Sequence, residues 1–531
     1  MIAFGTAGLR APVGPGEDHM NVPTVTRTSA GVAAWLSRQE SCGDSPAVAV
    51  GYDSRYGSHS MARAAAETFA GAGCRVTLIA RPAPTPTLAW LVRDRGFDAG
   101  VQITASHNPK GDNGYKLYLA GGSQLVSPAD REIEELIAAQ PAAPQIHRST
   151  DVHLDLGAYD GYVGAVAGLV TSGDGHVLAA RRALRVLYTP LHGVGGTALE
   201  QALREAGFQE PAVVAAQRWP DPEFPTVEFP NPEEPGTCDL LLEQAAGAAP
   251  EDRPDLLIAL DPDADRCMVG VPDPAAPHGY RMLRGDQTGP LLARRVVGQA
   301  VATAADGAPA PVVATTVVSS SLLGRIAAAE GWDYRETLTG FKNLARAADD
   351  APGELAFAYE EAIGTCPAPQ VVADKDGIAT ALVTAAWAAE LKAQGRTLRD
   401  ELADLDETYG VVRTAQVAVR FPTSEAASAL VAQWARQAPA DLFGGATPEV
   451  SALDGTGAGG TDAADAADLT GGFRLRWTVG DLAHRVVVRP SGTEPKAKFY
   501  LQVAGAAGGA TAAAVESALS ELTDTVRRLT A

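Results

Sequence analysis

Two short stretches place reactive side chains directly after apolar runs. In the first, Thr104-Ala105-Ser106-His107-Asn108-Pro109 follows the run Asp98 to Thr104, so Ser106 is a nucleophile candidate at the end of a buried strand, where open α/β sheets put their ligand sites. The rival reading is a plain turn, since Ser, Asn and Pro all form turns. Lys110, Asn113, Gly114 and Lys116 close behind tilt the reading toward an anionic ligand. In the second, Asp255 to Leu260 leads into Asp261-Pro262-Asp263-Ala264-Asp265-Arg266. Three carboxylates at alternate positions diverge in a helix but converge on one cation in a turning loop. All-oxygen ligation of this kind suits a hard divalent ion, most simply Mg²⁺. A calcium EF-hand does not fit, because Arg266 stands where its glycine belongs and Pro272 where its closing glutamate belongs. A solvated acidic turn is the remaining alternative.

Two further loops have weaker signals. Ala356 to Gly364 carries Glu360 and Glu361 after another apolar run, and such carboxylates suit sugar hydroxyls, although paired glutamates also serve as solvated or capping residues. Near the end stands Arg489-Pro490-Ser491-Gly492-Thr493-Glu494-Pro495-Lys496. There Gly492 permits close backbone approach, Ser491 and Thr493 offer hydroxyls, and Arg489 supplies a planar fork for phosphate oxygens. The spacing is not that of a P-loop, and the competing reading is a hairpin turn.

The elements that must carry these loops alternate between β and α. Strands are predicted at Ala47 to Gly51, Arg75 to Ala80 and Asp98 to Thr104 around a helix from Ser58 to Ala72. The order recurs with strands at Leu184 to Tyr188, Ala212 to Ala216 and Leu256 to Leu260 and a helix from Gly196 to Glu205. It recurs again with strands at Val312 to Val318 and Leu355 to Ala358 and a helix from Ser320 to Glu330. After about Gly410 the pattern becomes that of a smaller α+β module, in which Asp454 to Gly472 reads as a mobile loop. The expected fold class is α/β: three similar α/β domains with mixed sheets plus a smaller α+β C-terminal domain around a central cleft. The expected boundaries are 1–150, 155–285, 286–402 and 403–531.

A chain of 531 residues is too long for one compact core. Its net charge of −21 disfavours nonspecific attraction to nucleic acid or anionic lipid, so an anionic ligand must be held by local basic groups. No apolar run has the length of a membrane span and the first residues lack a leader pattern, so the cytoplasm is the expected location. Five scattered cysteines argue against a disulfide framework and are expected to be reduced and mostly buried.

The TASHNP, DPDADR, Glu-Glu and RPSGTEP segments, in this order and spacing, resemble the four signature loops of the α-D-phosphohexomutase family across nearly the whole chain. The resemblance implies four domains, each giving one loop to one cleft, and a phosphoserine at Ser106. It implies Mg²⁺ held by Ser106, Asp261, Asp263 and Asp265, with Lys116, Arg266, His107 and Arg10 near the transferring phosphoryl group. Glu360 would meet the sugar hydroxyls, Gly340 and Phe341 would lie in the specificity loop, and Lys375 would add a basic contact. Arg489, Ser491, Gly492 and Thr493 would grip the phosphate that does not react. Pro262 replaces a common glycine and Ala362 a common hydroxyl residue; with Phe4 to Arg10 these variants resemble the branch of phosphoglucomutases and phosphopentomutases, leaving hexose and pentose both open.

The implied reaction moves phosphate between the 1-position and the 6-position of a sugar, or the 5-position of a pentose, through a sugar bisphosphate that turns around. Glucose 1,6-bisphosphate is the expected activator, and the partner is a small phosphosugar bound by a monomer or dimer. Lys116 is the candidate proton shuttle, a role that needs its pKa lowered by neighbouring cations. A phosphatase and a catalytically silent sugar-phosphate sensor are the rival functions.

Overall fold

The computed structural model describes residues 8–170, 173–305, 307–453, 471–490 and 495–530. Residues 454–470 of the predicted mobile loop lie outside them, as do Ser491, Gly492 and Thr493. The chain forms two compact units: residues up to Thr288 with Ala362–Arg399, and Gly289–Glu361 with Asp400 onward.

The first unit holds two mixed sheets. Strands β1 (Leu9–Pro12), β2 (Ala47–Tyr52), β3 (Arg75–Ile79), β4 (Ala99–Ile103), β5 (Asp112–Leu119) and β6 (His153–Asp155) form one, in the order β1-β5-β4-β2-β3-β6. β2 is parallel to β3 and β4, whereas β5 is antiparallel to β4. Both β2 and β4 are buried along their whole length, which explains their near-continuous apolar sequence: helices cover both faces of a parallel sheet. Val25, Val32, Leu36, Met61 and Phe69 from the helices Val22–Leu36 and Ser58–Gly71 pack on Val48, Val50, Val101 and Ile103.

The second sheet comprises β7 (Val186–Thr189), β8 (Ala212–Val213), β9 (Leu256–Leu260), β10 (Cys267–Pro272) and β11 (Tyr280–Met282), ordered β11-β10-β9-β7-β8. Here β7 is parallel to β8 and β9, and β10 is antiparallel to β9. The plan of the first sheet is thus repeated: a central parallel trio whose last strand reverses into an antiparallel partner. Ser106 and the aspartates occupy the two equivalent reversals, and each reversal carries one non-glycine residue in the left-handed region, Ser106 (φ 53°) and Ala264 (φ 55°).

In the second unit, β12 (Val312–Thr316) is parallel to both β13 (Asp333–Thr337) and β14 (Leu355–Glu360), so Glu360 closes the strand equivalent to β4 and β9. β15 (Gly364–Cys366) and the helix Gly377–Ala393 belong to the first unit. The C-terminal module is an antiparallel sheet of β16 (Val412–Arg420), β17 (Glu449–Ala452), β18 (Phe473–Val479), β19 (Leu482–Pro490) and β20 (Lys496–Ala504), ordered β16-β20-β19-β18-β17. Its core joins Trp434 of the helix Ser424–Gln437 and Val515, Leu522 and Val526 of the helix Ala512–Thr530 to Phe473, Val486 and Phe499 of the sheet.

Cys74, Cys238, Cys267 and Cys366 are buried and all five cysteines are free thiols. No helix among the described residues is long and apolar enough to cross a membrane.

Candidate active site

Ser106 is almost wholly buried at the head of the β4–β5 reversal. Its own N–H donates to Thr104 Oγ1 at 2.9 Å, and Asn108 N–H closes a turn onto Ala105 O at 3.1 Å. With its φ held positive, the Ser106 hydroxyl donates to Asp261 Oδ2 at 2.7 Å, joining the first loop to the second. His107 Nδ1 stands 3.2 Å from Ser106 Oγ. Burial holds the His107 imidazole well below its ordinary pKa, and the neighbouring Arg266 and Arg10 push it the same way, which favours its neutral form. Arg10, on β1, donates to Asn108 Oδ1 at 3.0 Å.

The second loop folds so that oxygens of Asp261, Asp263 and Asp265 all lie within 4.8 Å of one another. Asp263 is anchored by Thr85, the first residue of the helix Thr85–Asp94, whose hydroxyl reaches Oδ2 at 2.6 Å and whose N–H reaches the Asp263 carbonyl at 2.9 Å. Lys116 enters from β5 and bridges Asp263 Oδ2 (2.7 Å) and Asp265 Oδ2 (2.8 Å). Arg266 supplies its backbone N–H to Asp261 Oδ1 at 3.0 Å and sets its guanidinium 3.7 Å from Asp265. Lys375 lies 3.5 Å from Asp265, at this same loop. The backbone behind Lys375 is fixed because Tyr118 and Gln124 both donate to Asp374 Oδ2, at 2.9 and 2.6 Å. Lys116 and Tyr118 share one face of β5 by the two-residue period, so one strand orders both loops.

Three buried carboxylates cannot all be charged at no cost. Burial, then Asp263 and Asp265, drive Asp261 well above the usual carboxylate range. Burial also pushes Asp265 up, but Lys116, Lys375 and Arg266 overcome it and hold that group well below the usual range. Asp263 Oδ1 and Asp265 Oδ1 are buried and take no hydrogen bond. Two orphaned anionic oxygens beside a third carboxylate are what a small hard cation would satisfy.

The expected lowering of the Lys116 pKa is not met. Burial alone would lower it, yet Asp263 and Asp265 outweigh burial, and the ammonium is held above its ordinary value. The nitrogen base beside Ser106 is His107.

The remaining sequence candidates lie in the second unit. Glu360 ends β14, and Glu361 accepts from Thr316 Oγ1 at 3.1 Å and Ser319 Oγ at 3.2 Å. Arg489, on β19, donates to Thr339 Oγ1, which ties it to the Thr339-Gly340-Phe341 loop. Gly340 has φ 108°, open to glycine, and Phe341 is buried at the start of a short helix.

Sequence reasoning missed Asp53, Arg55 and Thr85. Asp53-Ser54-Arg55 follows β2 just as Ser106 follows β4, so the strand-end rule that found Ser106 also applies there. Thr85 carries no comparable signal, since a threonine after Pro84 reads only as the start of a helix.

The family model described as "Phosphoglucomutase/phosphomannomutase, alpha/beta/alpha domain I" matches residues 1–143; those for domains II and III match 160–274 and 284–409. A Haemophilus influenzae protein named "Probable phosphomannomutase" is 36% identical over 92% of this chain and 93% of its own length. The phosphopentomutase of Homo sapiens is 34% identical over 77% of this chain and 68% of its own length. Among solved structures, the open form of parafusin, a phosphoglucomutase from Paramecium, superposes with a TM-score of 0.70 at 17% identity, covering 98% of this chain and 93% of that one. On these matches, the chain belongs to the phosphoglucomutase/phosphomannomutase family and is a phosphosugar mutase, an isomerase.

Proposed function

We propose that this mutase interconverts the 1-phosphate and 6-phosphate of glucose or mannose through a phosphoryl group carried on Ser106. The observation that carries the reading is the buried Ser106 hydroxyl, 2.7 Å from Asp261 and 3.2 Å from His107 Nδ1, on an aspartate loop that Lys116 and Arg266 also contact. In the first half-reaction the P–Oγ bond of phosphorylated Ser106 breaks, a bond forms from phosphorus to the sugar hydroxyl oxygen, and the proton lost there is balanced by the one Ser106 Oγ regains. His107 Nδ1, the nitrogen base next to Oγ, is where that proton is held, because Asp261 is needed in its charged form as a cation ligand. The second half-reaction reverses these events with the other phosphate of the bisphosphate. Because phosphoryl transfer has a loose transition state, Lys116 and Arg266 act by position and charge. Asp261, Asp263 and Asp265 would hold a divalent cation, Mg²⁺ by their all-oxygen chemistry, which when bound neutralises charge on phosphoryl oxygens.

Glu360, Gly340 and Phe341 are the proposed sugar contacts. Arg489, with Ser491, Gly492 and Thr493, is the proposed grip on the phosphate that is not transferred, and Lys375 a further basic contact. The proposed domains are 1–150, 155–285, 286–402 and 403–531, and glucose 1,6-bisphosphate is the proposed activator. The human phosphopentomutase relative favours one alternative, the 1-/5-phosphate pair of ribose or deoxyribose.

The test is turnover of purified protein on glucose, mannose, glucosamine and ribose 1-phosphates, with Ser106→Ala beside the wild type. Ser106→Ala is expected to lose about three or more orders of magnitude in kcat with its melting unchanged, since the group lost is the nucleophile itself. Turnover near the wild-type rate in that variant would defeat the phosphoserine reading, and preference for ribose 1-phosphate would replace the hexose with the pentose.

A further inference from the structure

The phosphoserine loop is also gripped through its backbone. Arg55, 4% exposed, directs its guanidinium into the concave side of the β4–β5 reversal. Nη2 donates to the carbonyls of Ser106 and Asn108, both at 2.6 Å, and Nη1 to those of Pro109 (2.9 Å) and Asp112 (3.2 Å). Four carbonyl dipoles pointing at one spot repel one another, and a donor placed among them relieves that repulsion. A guanidinium meets them with fixed, forked N–H groups; an ammonium has three donors on a single atom and cannot span the set.

Arg55 is itself held on its other sides. Its Nε faces Asp53 Oδ2 at 3.5 Å, and Asp53 Oδ1 accepts the Arg55 backbone N–H at 2.9 Å and the Ser58 hydroxyl at 2.6 Å. The ring of Phe224, from the proline-rich segment after β8, lies 5.0 Å from the Arg55 guanidinium carbon. Phe224 is 2% exposed and has φ 46°, a left-handed conformation that a bulky residue adopts only when its surroundings impose it. Its neighbour Glu223 pairs with Lys110, inside the same reversal, at 2.7 Å.

We propose that Arg55, seated under Phe224, is the positioning residue that sets Ser106 for phosphoryl transfer. The inference rests on the phosphoserine reading above. Holding the Ser106 carbonyl on one side of the residue, with Thr104 Oγ1 holding its N–H on the other, fixes the positive-φ conformation that aims Oγ at Asp261. Arg55 touches the loop's backbone, so its effect is on alignment and falls on kcat, leaving ground-state capture of the sugar phosphate unchanged.

The experiment compares Arg55→Lys, Arg55→Ala, Phe224→Leu and Ser106→Ala on glucose 1-phosphate with saturating glucose 1,6-bisphosphate. Arg55→Lys is expected to lose about 100-fold in kcat with KM within about twofold of wild type, the scale of a loss of alignment near 1 Å. Phe224→Leu, which keeps the fold but frees the guanidinium, is expected to lose roughly tenfold in the same parameter. Guanidinium ion at millimolar concentration is expected to restore part of the kcat of Arg55→Ala, whereas methylammonium restores none. Normal kcat in both Arg55→Lys and Phe224→Leu, or a loss lying wholly in KM, or no rescue by guanidinium, overturns the assignment. If Ser106→Ala turns over normally, the phosphoserine reading fails first; if Ser106→Ala is inactive while Arg55→Lys and Phe224→Leu are both normal, the positioning role alone fails.

Discussion

Asp261 has two tasks that conflict unless a cation is present. It accepts the Ser106 hydrogen bond through Oδ2 and the Arg266 N–H through Oδ1, yet burial and two neighbouring carboxylates press it toward the neutral form. A carboxyl whose folded pKa is raised favours the fold while protonated, and that advantage is lost as pH rises through the raised value. A cation that needs Asp261 charged must displace its proton. Affinity for Mg²⁺ is therefore expected to climb by about tenfold per pH unit while Asp261 remains protonated, and to level off above its pKa. Titration calorimetry of Mg²⁺ into the metal-stripped protein at several pH values measures this, and the change of binding heat with buffer ionisation heat gives the protons released. Asp263→Asn is expected to weaken binding by roughly 100-fold or more, because it removes the charge from one of the orphaned oxygens. An affinity flat across pH would show Asp261 already ionised, and wild-type affinity in Asp263→Asn would make the loop purely structural.

The 261–266 loop is shaped by two close backbone approaches from neighbouring elements. A Cβ on Gly193, in the turn before the helix Gly195–Glu205, would fall 2.3 Å from Pro262 Cα and carbonyl oxygen. One on Gly377, the first residue of the helix Gly377–Ala393, would fall 2.5 Å from the Arg266 carbonyl and 2.7 Å from that of Ala264. Backbone cannot yield as a side-chain tip does, so Gly193→Ala is expected to displace the loop, cutting Mg²⁺ affinity and kcat at least about tenfold and costing about 1–3 kcal/mol of stability. Thermal unfolding with and without Mg²⁺ reads both effects, and a variant with wild-type metal response would show that the loop does not depend on this packing. Gly193 and Gly377 could not be picked out of the sequence, because a glycine forced by close approach looks like any loop glycine. Strands buried on both faces, such as Leu256–Leu260 and Ala47–Tyr52, were legible from their apolar runs. β5, with Asp112, Asn113, Gly114 and Lys116, gives no strand pattern in the sequence, since its polar residues serve the site and break the alternation. Equivalence of the β4–β5 and β9–β10 reversals was equally hidden, because topology repeats there while residues do not. Ser106 and the three aspartates stand out because nucleophile and carboxylates sit at strand ends; Arg55 also follows a strand end but is a lone cation that grips loop carbonyls, and Thr85, which bonds Asp263 from the start of a helix, has no signature of its own.

A chain with net charge −21 that works on dianionic sugar phosphates must concentrate its cations locally. In the first unit Arg10, Lys116, Arg266 and Lys375 lie around Ser106 and the aspartates, and in the second unit Arg489 is fixed on β19 by Thr339. On the proposed reaction these cations divide the labour: those of the first unit neutralise the phosphoryl group in transfer, and Arg489 binds the phosphate that stays. Binding energy collected away from the reacting atoms serves both capture and alignment. Arg489→Ala is therefore expected to raise KM for glucose 1-phosphate by about 10–100-fold, the scale of one charge-assisted phosphate contact, and to lower kcat as well. A bisphosphate held less firmly while it turns also escapes more often, leaving Ser106 without its phosphoryl group and the enzyme stalled. Added glucose 1,6-bisphosphate should then recover part of the lost activity in Arg489→Ala by rephosphorylating Ser106, and do so at concentrations where wild type gains nothing. Intact-protein mass during turnover reports the same event directly, as a larger dephosphorylated fraction in the variant. Wild-type KM together with wild-type bisphosphate dependence would leave Arg489 as a structural partner of Thr339 and remove the second unit from phosphate binding.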